Sequence, residues 1–262
     1  MNKRWEILPI DEKKQILLEK NLHISSSLAE ILTRKNLDEN SAKLFLNPTK
    51  IPYHDPFLLK DMEKACQRLL LALKNKEKIC IYGDYDVDGV SSTALLMTVF
   101  TKLGFNIDYY LPDRHSEGYG LHIESLQKLI PKYDLLITVD CGITALDEVD
   151  YAKDKIDMII TDHHLPREIL PDAFAIINPT QTQCNYPNKN LCGVGVAFKL
   201  CQGLYQSLNK DIHKLENYLD IVALGTIADI VPLVDENRRI VKKGLANIQN
   251  LGIKTLITMK II

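Results

Sequence analysis

Residues 78–93 read KICIYGDYDVDGVSST: an apolar run, a glycine, aspartates at positions 84, 86 and 88, then a string of small residues. An apolar run with no polar alternation fits a strand covered on both faces, as in a parallel sheet. The aspartates that follow are harder to place. Asp and Gly dominate turns, so a solvated loop accounts for any one of them. Three carboxylates at alternating positions repel one another, however, and neither a loop nor a strand requires that pattern.

The same rhythm recurs downstream. Short apolar runs at 106–111 (NIDYYL), 134–139 (DLLITV), 157–161 (DMIIT) and 173–177 (AFAII) alternate with helical segments near 91–103, 122–130 and 145–154. This predicts an α/β domain built on a doubly wound, mostly parallel five-stranded sheet. An N-terminal helical arm and connector are expected over residues 1–60. SLAEILTRKN reads as a helix opened by a Ser27–Glu30 capping box, and DENSAKLFL as a helix that stops at Asn47–Pro48. Residues 61–250 form the main domain, mainly helical beyond residue 190.

Composition narrows the function classes. The 262 residues carry 46% hydrophobic and 25% charged side chains, ordinary for a globular chain. The net charge of −2 supplies no global cationic field, so a nucleic-acid partner would have to be held by a local groove or a metal. The six cysteines include no C-x-x-C pair and suggest reduced thiols in a cytoplasmic protein. No run approaches the ~18 apolar residues of a membrane span, and no signal peptide is expected.

In a doubly wound sheet the ligand site lies outside the carboxyl ends of the strands. Asp84, Asp86 and Asp88 follow the first strand, Asp140 ends the third, and Asp162, His163 and His164 follow the fourth. Each motif alone has a plain reading as a turn or a surface histidine pair. Acidic residues at the end of successive strands do not. Divalent cations keep crowded carboxylates ionised, and an Asp/His donor set suits Mn²⁺ or Mg²⁺ better than thiolate-rich zinc sets. Two such ions serve the attack of water on phosphorus. CGVGVAFKL (192–200) has glycines ahead of a helix but lacks the Lys-Ser/Thr ending of a P-loop. It is read as close backbone approach or helix packing under the site, with no nucleotide cofactor.

In order along the chain, YGDYDVDGVSSTALL, LPDRHSEGYGL, TVDCGIT, TDHHLP, NPTQTQCNYPNKNLCGVGVAFKL and ALGTIADIVPL resemble the motifs of the DHH phosphoesterase superfamily. Within it they resemble the RecJ-type single-strand-specific 5′–3′ DNA exonucleases. The resemblance implies a hydrolase of DNA repair and recombination that uses two Mn²⁺ or Mg²⁺ ions and releases 5′-mononucleotides. It implies Asp86, Asp88, Asp140, His163 and Asp229 as metal ligands, with Asp140 bridging and Asp84 supporting. His164 would contact the scissile phosphate or act as an acid, and Arg114 would bind phosphate. His115 and Glu117 would orient ligands, while Tyr119 would face a base or pack inward. Single-stranded DNA is the implied partner of a monomeric enzyme without membrane contact, alongside a helicase and a single-strand-binding protein. The family continues into further substrate-holding domains, whereas no counterpart is evident after Ile253; residues 251–262 are therefore expected to be a truncated tail. Two alternatives stay open: a weakly active or inactive fragment that binds metal or nucleic acid, and a phosphodiesterase of small oligonucleotides.

Overall fold

The computed structural model describes residues 9–114 and 117–248. His115 and the expected tail at 251–262 lie outside the described residues. The chain divides into two units, 1–52 and 53–262. In the first, helices α1 (Glu12–Leu22), α2 (Ser26–Arg34) and α3 (Glu39–Leu46) enclose a small core of Leu18, Ala29, Leu32 and Ala42. One sequence expectation changes here. The cap of α2 is Ser25, whose hydroxyl accepts from Leu28 N, and Glu30 pairs with Arg34 one turn on. Ser27 therefore lies inside the helix, and no capping box forms. Helix α1, capped by Asp11, has no strong apolar periodicity to announce it; of its residues only Leu18 is buried.

The second unit holds α4 (Met62–Asn75), β1 (Lys78–Gly83), α5 (Val87–Leu103), β2 (Asn106–Tyr110), α6 (Ile123–Leu129), β3 (Leu135–Val139), α7 (Leu146–Ala152), β4 (Asp157–Thr161), β5 (Ala175–Ile177), α8 (Gly193–Ser207), α9 (Leu219–Ala228) and α10 (Asp235–Asn247). The strands pair in the order β2-β1-β3-β4-β5, all parallel. The strand periodicity explains the two-sided cover. Ile79, Ile81, Ile137 and Ile159 point into one core, shared with α4, α5 and α8. Cys80, Tyr82, Leu136 and Ile160 point into the other, shared with α6 and α7.

The chain leaves β1 toward β2 on one side and returns to pair β3 on the other, so the sheet reverses direction between β1 and β3. Register then lines up the strand ends: Gly83 opposite Val139, Val139 opposite Thr161, Thr161 opposite Ile177. The next residue in each strand is Asp84, Asp140, Asp162 or Asn178, and all four are buried. One row of buried polar side chains thus crowns an apolar sheet at its switch point. Helix α10 closes the far side by lying directly on α9. A β-carbon on Gly244 would overlap the Leu219 carbonyl and the Ala223 side chain. Gly244→Ala is therefore expected to cost about 1–3 kcal/mol, measured by urea denaturation; an unchanged midpoint would show that the two helices separate freely.

Candidate metal centre

The first motif does not form a loose acidic loop. Helix α5 begins at Val87, earlier than the expected start near Ser91, and Asp86 is its N-cap, with Oδ1 accepting from Gly89 N at 2.9 Å. Asp88 lies in the first turn of α5 and is buried. Its Oδ2 accepts from Gly193 N at 2.6 Å and its Oδ1 from Val194 N at 2.9 Å. These are unclaimed N–H groups at the start of α8, where a helix favours negative charge. The glycine motif at 192–200 thus receives a carboxylate of its own chain. Only glycine fits at 193, because a β-carbon would stand 2.5 Å from Asp140 Oδ1.

Around this anchor the donors converge. His163 Nε2 lies 3.2 Å from Asp140 Oδ1, 3.7 Å from Asp229 Oδ2 and 4.0 Å from Asp88 Oδ2. Asp229 arrives from the C-terminal end of α9. Three overlapping sets have ligand atoms within 4.8 Å of one another: Asp84, Asp86 and Asp140; Asp88, His163 and Asp229; Asp140, His163 and His164. All five residues expected to bind metal, together with Asp84, are brought into one cluster.

Hydrogen bonding separates two kinds of carboxylate in it. Asp162 is fully occupied: Oδ2 accepts from Ile143 N, and Oδ1 accepts from His163 N, His164 N and His164 Nδ1, the last at 2.7 Å. By contrast, Asp84 Oδ2, Asp140 Oδ1, Asp229 Oδ2 and His163 Nε2 are buried without a hydrogen-bond partner. Buried acceptors left unpaired are costly, and here they face one another. Oxygens and one imidazole nitrogen in that arrangement fit hard divalent cations. Asp140 adds a second cost, since it holds a left-handed φ of +62°.

Protonation follows the same division. Burial, then repulsion from Asp88 and Asp86, pushes the Asp140 carboxyl far above the ordinary range. Burial also raises Asp88, despite its two backbone N–H partners, and raises Asp229. Asp84 is pushed up to about 6, again mainly by burial. Burial opposes ionisation of Asp162 too, but its bonds from His164 and backbone N–H groups prevail and hold it low. His164 is raised by its bond to Asp162, whereas burial and the neighbouring His164 lower His163, leaving a neutral imidazole suited to ligation. Cys141 and Cys192, beside Asp140 and Gly193, are buried and held as thiols, first by desolvation and then by the adjacent carboxylates.

The phosphate candidates lie at the rim. Arg114 is exposed, with its guanidinium carbon 5.5 Å from the centre of the Tyr85 ring, between Asp84 and Asp86 in sequence. Tyr119 stands edge-on to His164, and its hydroxyl lies 3.2 Å from His164 Nε2. Glu117 accepts from the Tyr110 hydroxyl at the end of β2 and so fixes its own loop, where sequence suggests a residue orienting ligands. Asp162 is the residue to which sequence reasoning assigns no role of its own. Its signal is positional, being the first residue after β4 in register with Asp140.

Comparison with known proteins agrees with this architecture. The DHH family, N-terminal domain, matches residues 78–226. The single-stranded-DNA-specific exonuclease RecJ of Bacillus subtilis (strain 168) is 44% identical over 262 residues, covering 98% of this chain and 33% of its own. A crystal structure of RecJ in complex with Mn²⁺ from Thermus thermophilus superposes with a TM-score of 0.79 at 30% identity, over 93% of this chain and 34% of that one. A second, of exonuclease RecJ bound to manganese, gives a TM-score of 0.67 at 37% identity over 72% and 48%. The chain spans about a third of the length of the curated relatives it matches.

Carboxyls whose folded-state pKa is raised bind protons more tightly folded than unfolded, so their contribution to stability is present in acid and lost as pH rises. For Asp84 that window runs from 3.8 to about 6, and for Asp140 and Asp88 it extends higher. In EDTA, Asp140→Asn is expected to melt above wild type by a margin that grows from pH 5 to pH 8. Mn²⁺ is expected to raise the wild-type midpoint and not that of the variant. Differential scanning fluorimetry checks both; a margin independent of pH, or an equal Mn²⁺ shift in both proteins, would contradict the charge argument.

Proposed function

Because the chain belongs to the DHH family, we propose that it hydrolyses phosphodiester bonds of single-stranded DNA from the 5′ end, releasing 5′-mononucleotides with two divalent cations, Mn²⁺ or Mg²⁺. The observation that carries this reading is the set of partnerless buried atoms on Asp84, Asp140, His163 and Asp229, facing one another beside a histidine that Asp162 holds in place. Relatives named as single-stranded-DNA-specific exonucleases, and their manganese-bound structures, support it.

Asp86, Asp88, Asp140, His163 and Asp229 would hold the ions, with Asp140 shared between them and Asp84 supporting. Divalent cations held there would supply Lewis acidity, lowering the pKa of water and offsetting negative charge on the phosphate. The chain's own residues supply orientation and a proton. Asp162 fixes the His164 ring through Nδ1 and favours its protonated form, which leaves Nε2 to donate to a phosphate oxygen or to the departing 3′ oxygen. The Tyr119 hydroxyl, 3.2 Å from Nε2 and 3.4 Å from Nδ1, flanks the ring between its two nitrogens. Arg114 offers a planar guanidinium to a phosphate of the strand.

Three further readings rest on family resemblance: a helicase partner, a single-strand-binding-protein partner, and a monomeric state. A cytoplasmic location is supported by six free, buried cysteines. No helix among the described residues is long and apolar enough to cross a membrane.

Digestion of 5′-labelled single-stranded DNA in Mn²⁺ tests the reading. Wild type is expected to release labelled mononucleotide, Asp140→Asn to release none above background, and His164→Ala to lose about 10²–10⁴-fold in kcat. Short oligonucleotides cleaved while long strands resist would favour a small-substrate phosphodiesterase. Metal binding without any cleavage would reject hydrolysis by this chain.

A further inference from the structure

Helix α10 opens with three polar residues, Asp235, Glu236 and Asn237, and the last two are buried. Buried polar side chains persist where their bonds are filled, and these are. Glu236 accepts from the Tyr186 hydroxyl through Oε1 and pairs with Lys199 Nζ through Oε2 at 3.3 Å. Lys199, equally buried, also donates to the His54 carbonyl at 2.7 Å. The first turn of α10 is thereby fastened to the middle of α8.

Asn237 extends this hold toward the metal centre. Its Nδ2 donates to the Asn190 carbonyl at 2.6 Å and to the Pro232 carbonyl at 3.1 Å, and its Oδ1 accepts from Asn188 Nδ2 at 3.2 Å. Asn188 Oδ1 in turn accepts from Asn190 N at 3.0 Å, which closes the circuit and fixes the direction of each amide. Asn190 stands three residues before Gly193, whose N–H donates to Asp88, and Pro232 stands three residues after Asp229. Between Asp229 and α10 the chain turns at two left-handed residues, Ile230 and Asp235, and the Pro232 carbonyl accepts from Val234 N as well. One buried amide therefore spans the segment that anchors Asp88 and the segment that follows Asp229.

We propose that Asn237 is a positioning residue: by joining these two segments it sets Asp229 relative to Asp88, and so shapes the half of the centre made by Asp88, His163 and Asp229. The inference rests on the two-ion reading above and deepens it. Among the described residues, the Asn237 side chain bonds none of the ligands, so it acts on them through backbone alone. The other half, Asp84, Asp86 and Asp140, stands on the ends of β1 and β3 and the cap of α5, which Asn237 does not hold. Its influence on the two ions is therefore unequal.

Asn237→Asp keeps the shape of the side chain and turns its donor into an oxygen facing two carbonyls, whereas Asn237→Ser keeps one short donor that cannot span both. Each is compared with wild type by two measurements that do not depend on turnover. In EDTA, hydrogen exchange at the Gly193 and Val194 amides is expected to quicken about tenfold in Asn237→Asp and less in Asn237→Ser, with amides of β3 and β4 unchanged. In calorimetric titration with Mn²⁺, one of the two ions is expected to weaken about tenfold and the other to keep its wild-type affinity. Should Asn237→Asp fail to fold, Asn237→Ser carries both readouts. Unchanged exchange at Gly193 and Val194, unchanged Mn²⁺ affinities, or both ions weakened alike with faster exchange across the sheet would each overturn the proposal. Wild type that takes up no Mn²⁺, with the two amides still released by the variants, would reject the two-ion reading and leave the hold of Asn237 on α8 standing.

Discussion

The carboxylate of Asp88, seated on the first N–H groups of α8, is the interaction from which the rest of the centre follows. Asp88 belongs to the helix that leaves β1, whereas α8 begins more than a hundred residues later. Joining them brings the start of the helical half against the carboxyl edge of the sheet. Helix α9, which packs with α5 and α8, then delivers Asp229 to the same point. The bond satisfies four needs at once: two acceptor oxygens of a buried acid and two donors of a helix terminus. Asp88, like Asp162, consequently has both carboxylate oxygens held by the chain itself.

Its neighbours are held at a cost. Asp140 occupies a left-handed backbone conformation, and so does Ile230, immediately after Asp229. A β-branched residue rarely adopts that conformation, and the Ile230 side chain is 87% exposed. Asp140 itself carries the left-handed conformation, whereas Asp229 keeps a right-handed helical one and the strain falls on the residue after it. Strain of this kind gathers at sites whose geometry is fixed in advance of the ligand. Together with partnerless oxygens, it makes the cluster a poor structural element and a ready ligand cage.

Much of this was legible in the sequence. Apolar runs located all five strands: four are covered on both faces and leave little room for polar residues, whereas β2, at the sheet edge, carries Asp108 and is only partly buried. Parallel pairing and the switch point then placed Asp84, Asp140, His163 and His164 together. Asp229 was legible only through family resemblance: a single acid closing an apolar helix looks like an ordinary helix end, and its approach to His163 depends on tertiary packing. Asp162 was hidden for the opposite reason, since its role is to satisfy backbone and histidine donors that only the folded loop presents. The start of α5 was misplaced because Asp86 serves both as helix cap and as acid, and an acidic run masks a capping residue. The Ser25 cap was masked similarly, by three consecutive serines.

The two cysteines flanking the centre bear on which metals it can choose. Cys141 follows Asp140, and Cys192 precedes the glycine beneath it, yet the Cys141 sulfur faces the Tyr82 carbonyl and the Cys192 sulfur the Thr226 hydroxyl. Burial and the surrounding acids keep them protonated. A thiol is a weak ligand, whereas a thiolate competes strongly for soft ions. The donor sets of the cage, among the described residues, therefore consist of carboxylate oxygen and imidazole nitrogen, with the two sulfurs turned to other partners. A cage of oxygen and imidazole disfavours thiophilic metals through its donor atoms alone, and needs no residue set aside for that task.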